Sequence, residues 1–364
     1  MRDCYITKTA SFLPGTTIEN DSIEKYLGSL DGESTVRDQV LSMNGIKKRY
    51  YAQDKQQKQT YDLYDLAAKA ALALCQDDVE SANKITFMSA GTTYSPLAAP
   101  GLASILHDKL QAQSFLDYPV EISSHSGICT SGAAALVGGI RAIESGQHNY
   151  ALCVSAEHPS AILKEEQITP IDDRSEHKKL RDSKWFMSVF LRYMLSDGAG
   201  ALALADKPIK EGLSLRVNWT HSRSFANAGP LCMKLDNSNA LLSQDLSVLT
   251  RYLFVFADSF IDDCLKKHNE SLDNYSVILP HMSSFFFRKK MEKLIAKYCI
   301  NGASPTPYWT NLADVGNTGS ASIYIMLDQY VRDHKLEDGQ RILLFIPESG
   351  QFNFVMISLT VVLS

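Results

Sequence analysis

Three side chains of different chemistry occupy comparable places in the 364-residue sequence. Cys129 lies in Ser126-Gly127-Ile128-Cys129-Thr130-Ser131-Gly132, between a strand pattern and a helix pattern. His281 follows the apolar run Val277-Ile278-Leu279 and Pro280. Asn317 lies in the glycine turn Gly316-Asn317-Thr318-Gly319-Ser320 ahead of another helix pattern. A thiolate attacks an acyl carbonyl, while an imidazole and a carboxamide hold the negative charge that develops on oxygen. Together they suit acyl transfer from a thioester. The helix start after Cys129 favours the thiolate, because the positive end of a helix dipole lowers a thiol pKa. Taken singly, each residue is bland: a buried small hydrophobe, a structural histidine, a turn. Their shared position beyond strand ends, where open α/β sheets gather their chemistry, gives the set its weight.

The elements that must position these residues alternate along the chain. Strand patterns run over Cys4–Phe12, Ile85–Gly91, the residues from Val120 towards Cys129, Tyr150–Ser155 and Leu202–Leu204. The helix after Cys129 carries Ala133, Leu136, Val137, Ile140 and Ile143 on one stripe and stops at Gly146. Thr60 is predicted to cap a helix striped by Leu63, Leu66, Ala67, Ala70 and Leu74. The second half repeats the alternation, with helical stripes at Leu246–Phe260, Phe287–Tyr298 and Ile323–Tyr330. Its strand patterns lie at Val277–Leu279, Ile342–Ile346 and Phe354–Val362. This is an α/β pattern with covered sheets. A change of register at Asp206-Lys207-Pro208 divides it into 1–206, carrying the cysteine, and 207–364, carrying the histidine and asparagine. The densely charged stretch 164–184 reads as a solvated loop or inserted lid.

Composition sets limits. Apolar residues make up 45% and charged residues 21%, an ordinary globular balance, and the net charge of -5 argues against nucleic-acid binding. No apolar run has the length of a membrane span, and the first residues lack the apolar core of a secretory signal. The seven cysteines are scattered, without a C-x-x-C pair. That fits a reducing cytoplasm and speaks against a disulfide framework or a zinc site.

The chain resembles the ketoacyl synthase III family of the thiolase fold. The resemblance rests on Ser11-Phe12-Leu13-Pro14, Ser126–Gly132, Ser196-Asp197-Gly198-Ala199-Gly200-Ala201, Pro280-His281 and Gly316–Ser322, in the family's order. It implies a thiolase-like five-layer αβαβα fold of two duplicated halves, with Cys129 as nucleophile and His281 and Asn317 completing a Cys-His-Asn triad. It also implies a homodimer, with Ile85–Ala99 near the interface, and an acyltransferase that extends acyl thioesters by Claisen condensation. The substrates would ride on acyl carrier protein or coenzyme A, with no other cofactor and no metal.

The departures point to a subgroup. The family's coenzyme A mouth has a Trp and an Arg where this chain reads Asp38-Gln39-Val40-Leu41-Ser42-Met43. Met282-Ser283-Ser284 stands after the histidine in place of Gln-Ala-Asn, and Glu348-Ser349-Gly350-Gln351-Phe352 replaces a glycine-rich turn. These features, with the charged insertion, resemble the branch that makes dialkylresorcinols and stilbene precursors, in which two β-ketoacyl thioesters are joined and cyclised. In that reading Glu348 is a second-step base, given burial enough to raise its pKa, and Gln351 orients a carbonyl. Lys47, Lys48, Arg49, Arg288, Lys289 and Lys290 would dock an acidic carrier protein or a phosphate of its pantetheine arm. Glu157-His158 reads as a structural ion pair or cap. The alternatives are an ordinary chain-initiating synthase, an acyltransferase acting on oxygen or nitrogen, and a non-catalytic partner subunit. The intact Cys129, His281 and Asn317 weigh against the last.

Overall fold

The computed structural model describes residues 2–32, 34–74, 84–171, 173–176, 180, 183–236, 240–299 and 304–364. Nine strands share one mixed sheet: β1 Tyr5–Phe12, β2 Phe87–Thr92, β3 Glu121–Ser126, β4 Tyr150–Glu157, β5 Gly198–Ala205, β6 Leu213–Ser224, β7 Val277–Pro280, β8 Arg341–Pro347 and β9 Asn353–Leu363. Their spatial order is β7-β8-β9-β6-β1-β5-β4-β2-β3. The join at the centre is slight, since β1 and β6 pair only through Tyr5 with Arg216 and Ile6 with Leu215.

Either side of that join, one arrangement is used twice. Reading outward, the first half places its first strand, then its fifth, fourth, second and third. The second half places β6, β9, β8 and β7 in the same sequence. Its third member is a parallel bridge from Ile278 to Tyr308. Directions also repeat: β4 is parallel to β2 and antiparallel to β5, as β8 is parallel to β7 and antiparallel to β9. The duplicated halves are therefore written in the hydrogen-bond ladder itself.

Helices fill and cover the two half-sheets. They are α1 Leu63–Ala73, α2 Leu102–Gln111, α3 Ser131–Glu144, α4 Lys184–Arg192, α5 Leu246–His268, α6 Arg288–Lys297 and α7 Ser322–Asp333. Alternation along buried strands sends neighbouring side chains to opposite layers. Cys153 of β4 packs inward with Leu136 and Ile140 of α3 and Ile323 and Leu327 of α7. Its neighbours Leu152 and Val154 face outward onto Leu66 and Ala70 of α1. In the same way Leu344 of β8 points to the central helices, while Leu343 and Phe345 meet Phe260 of α5 and Leu294 of α6. Helix, sheet, helix, sheet, helix: five layers result.

Some local expectations need correcting. Asp62, not Thr60, caps α1, accepting from the Asp65 amide while the Asp65 side chain accepts from the Asp62 amide. The Gly198–Gly200 segment is strand rather than turn, because α7 lies so close that a Cβ on Gly200 would collide with Tyr324. The stretch 164–184 is not simply solvated. Ile168 is buried with Trp185, Val189 and Tyr193 against Ile23 and Leu27. Among the described residues no helix is long and apolar enough to cross a membrane.

Candidate active site

Cys129 stands three residues beyond β3 and two before α3, where the turn is held by Ser131 Oγ donating to the Ile128 carbonyl at 3.0 Å. The site depends on small residues. A Cβ on Gly132 would collide with the Ser320 carbonyl at the start of α7, so the two buried helices meet only because Gly132 lacks one. The Cys129 sulfur is buried and faces the backbone N–H groups of Ser349 and of Cys129 itself. Burial, then the charges of Glu348 and Glu157, push the thiol far above its ordinary value. The helix start does not make a resting thiolate, contrary to the sequence expectation, because desolvation outweighs it. A thiol that surrenders its proton as it attacks is what this arrangement supports.

His281 continues β7, its amide donating to the Phe345 carbonyl at 2.8 Å. The ring is 3% exposed, both nitrogens are buried without a hydrogen-bond partner, and burial lowers the pKa to about 4. It is a neutral imidazole with a free donor and a free acceptor. Asn317 is fixed through its backbone, donating to the Met194 carbonyl at 3.0 Å and accepting from the Ser196 amide at 2.9 Å. Its Oδ1 accepts from the Gly319 amide at 3.0 Å, which leaves the carboxamide NH2 as the end to serve as donor.

Two narrow cavities meet at Cys129, with volumes of about 50 and 40 Å³. The first is lined by Asn317, Glu157, Leu191, Met194 and Leu242, the last from a hairpin of Met233–Asp236 and Leu241–Gln244. The second is lined by His281, Leu249, Leu253, Ala257 and Met291. Cys129, Ser283 and Ser349 are the residues common to both walls. Outside them lies a larger apolar vestibule bounded by Val40, Met43, Leu180, Phe186 and Phe286. Ser283 lines all three spaces.

The structure thus brings Cys129 into one cavity with Asn317 and into the other with His281. It treats the remaining candidates differently. Glu348 is buried, but its Oε2 is taken up by the Thr130 amide at 3.2 Å and by the Thr130 hydroxyl, and neither cavity wall includes it. Gln351 is exposed and also absent from both walls. Arg49 is fully buried, donating to Asn20 Oδ1 at 2.9 Å and to the Tyr193 carbonyl at 3.1 Å, so it cannot meet a docking partner. Lys47, Arg288, Lys289 and Lys290 are exposed and Lys48 is half-buried. Arg288 is partly engaged by Glu292 at 2.9 Å.

One residue was passed over. Glu157, at the end of β4, lines the first cavity beside Cys129 and Asn317. Its Oε1 accepts from the Thr93 amide at 2.9 Å, the Thr93 hydroxyl at 2.7 Å, the Ser320 amide at 3.2 Å and the Ser320 hydroxyl. Oε2 has no partner. Burial raises the carboxyl to about 7, the four donors opposing the shift. An acidic residue closing an otherwise apolar strand was the available sequence signal. Of the two structural roles expected of Glu157-His158, the ion pair is absent among the described residues, His158 lying 3.8 Å from Asp197 instead. Glu157 does act as a cap, accepting from the Ser320 amide and hydroxyl.

Residues 265–347 match the family described as 3-oxoacyl-(acyl-carrier-protein (ACP)) synthase III C terminal. The chain is 24% identical over 352 residues to the β-ketoacyl-(acyl-carrier-protein) synthase III of Clostridium perfringens strain SM101, covering 94% of this chain and 95% of that one. Among solved structures, a variant of Xanthomonas campestris OleA superposes with a TM-score of 0.78 at 19% identity, covering 99% and 98% of the two chains. AbyA1, a tetronic acid condensing enzyme, superposes with a TM-score of 0.76 at 18% identity, covering 98% and 99%.

Proposed function

The chain belongs to the ketoacyl synthase III family, and from that premise we propose that it joins two β-ketoacyl thioesters by Claisen condensation on Cys129 and closes the product to a six-membered ring. The observation that carries this reading is the pair of apolar cavities diverging from one sulfur, which gives each acyl chain its own wall.

The Cys129 thiol attacks the first thioester and yields its proton to the departing thiol, leaving an acyl-enzyme. In this reading the Cys129 and Ser349 amides, which face the sulfur, hold the oxyanion charge. The second thioester then loses a proton from its α-carbon, with the enolate oxygen held by donors from His281 and Asn317. Glu157 Oε2, free at the cavity wall and titrating near neutrality, takes that proton in place of Glu348. The carbanion attacks the acyl carbonyl and Cys129 departs, regaining its proton. Further activated methylene and carbonyl groups on a β-ketoacyl product allow the second C–C bond.

Carrier-protein delivery falls to Lys289 and Lys290, exposed beside Phe286 at the vestibule. We also propose a homodimer formed at the edge strand β3, whose Ile122 is 40% exposed. Of the segment 85–99, β2 is internal and wholly buried, so only its exposed end near Leu97 would take part. We place the boundary between the halves in the connection from β5 to β6. The test offers purified protein a β-ketoacyl thioester pair and, separately, acetyl-CoA with malonyl carrier protein, following adducts by intact mass and products by chromatography. A cyclic product from the pair is expected. Acetoacetyl formation from the second mixture alone returns the protein to chain initiation.

A further inference from the structure

The scattered cysteines and histidines of the second half converge where no short motif announces it. His221 on β6 and Cys264 and His268 on α5 place one ligand atom each within 4.8 Å of one another. Cys264 and His268 are four apart on a helix, so they share a face, and β6 passes beneath it. His221 is 2% exposed, and Asp263 Oδ2 lies 3.0 Å from its Nε2. A proton on that nitrogen, donated to Asp263, leaves Nδ1 with a bare lone pair, and Nδ1 is buried with no partner. His268 Nε2 is likewise buried and unpartnered, with its ring stacked on Trp219 at 4.2 Å. Buried polar atoms are normally satisfied, and two imidazole nitrogens left bare beside one thiol call for a shared partner.

We propose that His221, Cys264 and His268 bind a zinc-class divalent cation, with a water completing the coordination. One thiolate and two imidazoles are a borderline-soft donor set of the kind zinc takes, and a carboxylate behind one ligating histidine orients it. The charges around the cluster are mixed: Arg223 and Lys267 on one side, Asp263 and Glu270 on the other. Binding expels the Cys264 proton to solvent, and the sulfur bonds the metal as thiolate. Neither ligand spacing, 221 to 264 from strand to helix or 264 to 268 along the helix, is a C-x-x-C pattern, whose absence spoke against zinc in the sequence. The cation would pin the C-terminal end of α5, the helix whose Leu249, Leu253 and Ala257 wall the second cavity.

The experiment measures zinc in the full chain by inductively coupled plasma mass spectrometry after gel filtration. It then strips the metal with chelator and titrates zinc or cobalt back. About one zinc per chain, about one proton released per ion bound, and a melting temperature raised by about 5 °C on reloading are expected. Cobalt should give a thiolate charge-transfer band that Cys264→Ser removes and Cys129→Ser keeps. His221→Ala should lower retained zinc at least about tenfold, and it serves as the second variant should Cys264→Ser fold poorly. Less than about a tenth of an equivalent, with no thermal shift on adding zinc, overturns the proposal. So does metal that Cys129→Ser abolishes and Cys264→Ser retains.

Discussion

In the first half the second, third and fourth strands lead to Thr93, Cys129 and Glu157; in the second half the same positions lead to His281, Asn317 and Glu348. The fourth-strand pair shows what duplication conserves. Glu157 accepts from the amide and hydroxyl of Ser320, just ahead of α7, and Glu348 accepts from the amide and hydroxyl of Thr130, just ahead of α3. Each glutamate therefore caps the buried helix of the opposite half, where a carboxylate is favoured by the helix dipole and by free N–H groups. The second- and third-strand pairs show what divergence changes. A threonine on one side answers a histidine on the other, and a thiol answers a carboxamide. The symmetric frame holds the halves together; the asymmetric residues supply the proposed chemistry.

The largest effect separates the third-strand pair. Cys129→Ala should abolish the acyl adduct in intact-mass spectra, while Asn317→Ala should still load and lose about a hundred-fold or more in condensation. An adduct that survives in Cys129→Ala, or equal loading failure in both variants, breaks the division of labour between the halves.

The glutamate pair comes next. If both are only caps, Glu157→Gln and Glu348→Gln cost similar stability, about 1–3 kcal/mol, and leave turnover of the folded protein alike. If Glu157 is the base, Glu157→Gln alone should slow condensation about a hundred-fold or more while sparing acylation. The sign with pH is fixed by its role. A base works ionised, so condensation by the wild type should fall as pH drops through about 7, the value to which burial raises Glu157. Glu157→Gln should lose that limb. His281, lowered to about 4, stays neutral throughout and should contribute no titration between pH 6 and 9.

The sequence made much of this legible, unevenly. His281 stood out because it ends an apolar run, and Cys129 and Asn317 because each sits in a glycine-containing turn ahead of a helix pattern; their common placement needed no distances. Glu348 and Glu157 were misjudged in opposite directions, since which way a strand-end carboxylate turns depends on donors from the other half. Arg49 read as a surface cation because its buried acceptors, Asn20 and the Tyr193 carbonyl, lie 29 and 144 residues away. The long strand β6 escaped notice although Leu213, Leu215, Val217 and Trp219 alternate with polar residues, itself the signal of a half-buried strand. The acyl cavities escaped because they are space between elements, bounded by leucines and methionines that look like core from sequence.

Those cavities offer a smaller effect. Ala257→Phe fills the wall beside His281 and Leu242→Phe the wall beside Asn317. Each should shorten the tolerated chain on one substrate only, with about tenfold discrimination per methylene-sized intrusion. Competition between thioesters of mixed chain lengths reads this directly. A shift on both substrates from either change would merge the two cavities into one functional pocket.

The least effect concerns the two basic segments flanking the vestibule. Gly45 and Phe285 are in such close approach that 44–48 and 285–290 form one rim, yet the rim is lopsided. Arg49 is spent inside the fold, whereas Lys289 and Lys290 are exposed, with Lys290 Nζ 5.5 Å from the centre of the Phe254 ring. Solvent-exposed charges act mainly on encounter, through steering that salt screens within about 10 Å at 0.1 M. Lys289→Glu with Lys290→Glu should therefore raise KM for a carrier-protein substrate several-fold at low salt. The gap should close at high salt, and kcat should stay unchanged. Lys47→Glu, on the side whose second cation is half-buried, should do less. A small pantetheine thioester lacks the acidic protein surface and should be indifferent to all three changes. If its KM moves equally, the lysines act on the vestibule itself, and delivery by a docked carrier protein loses its support.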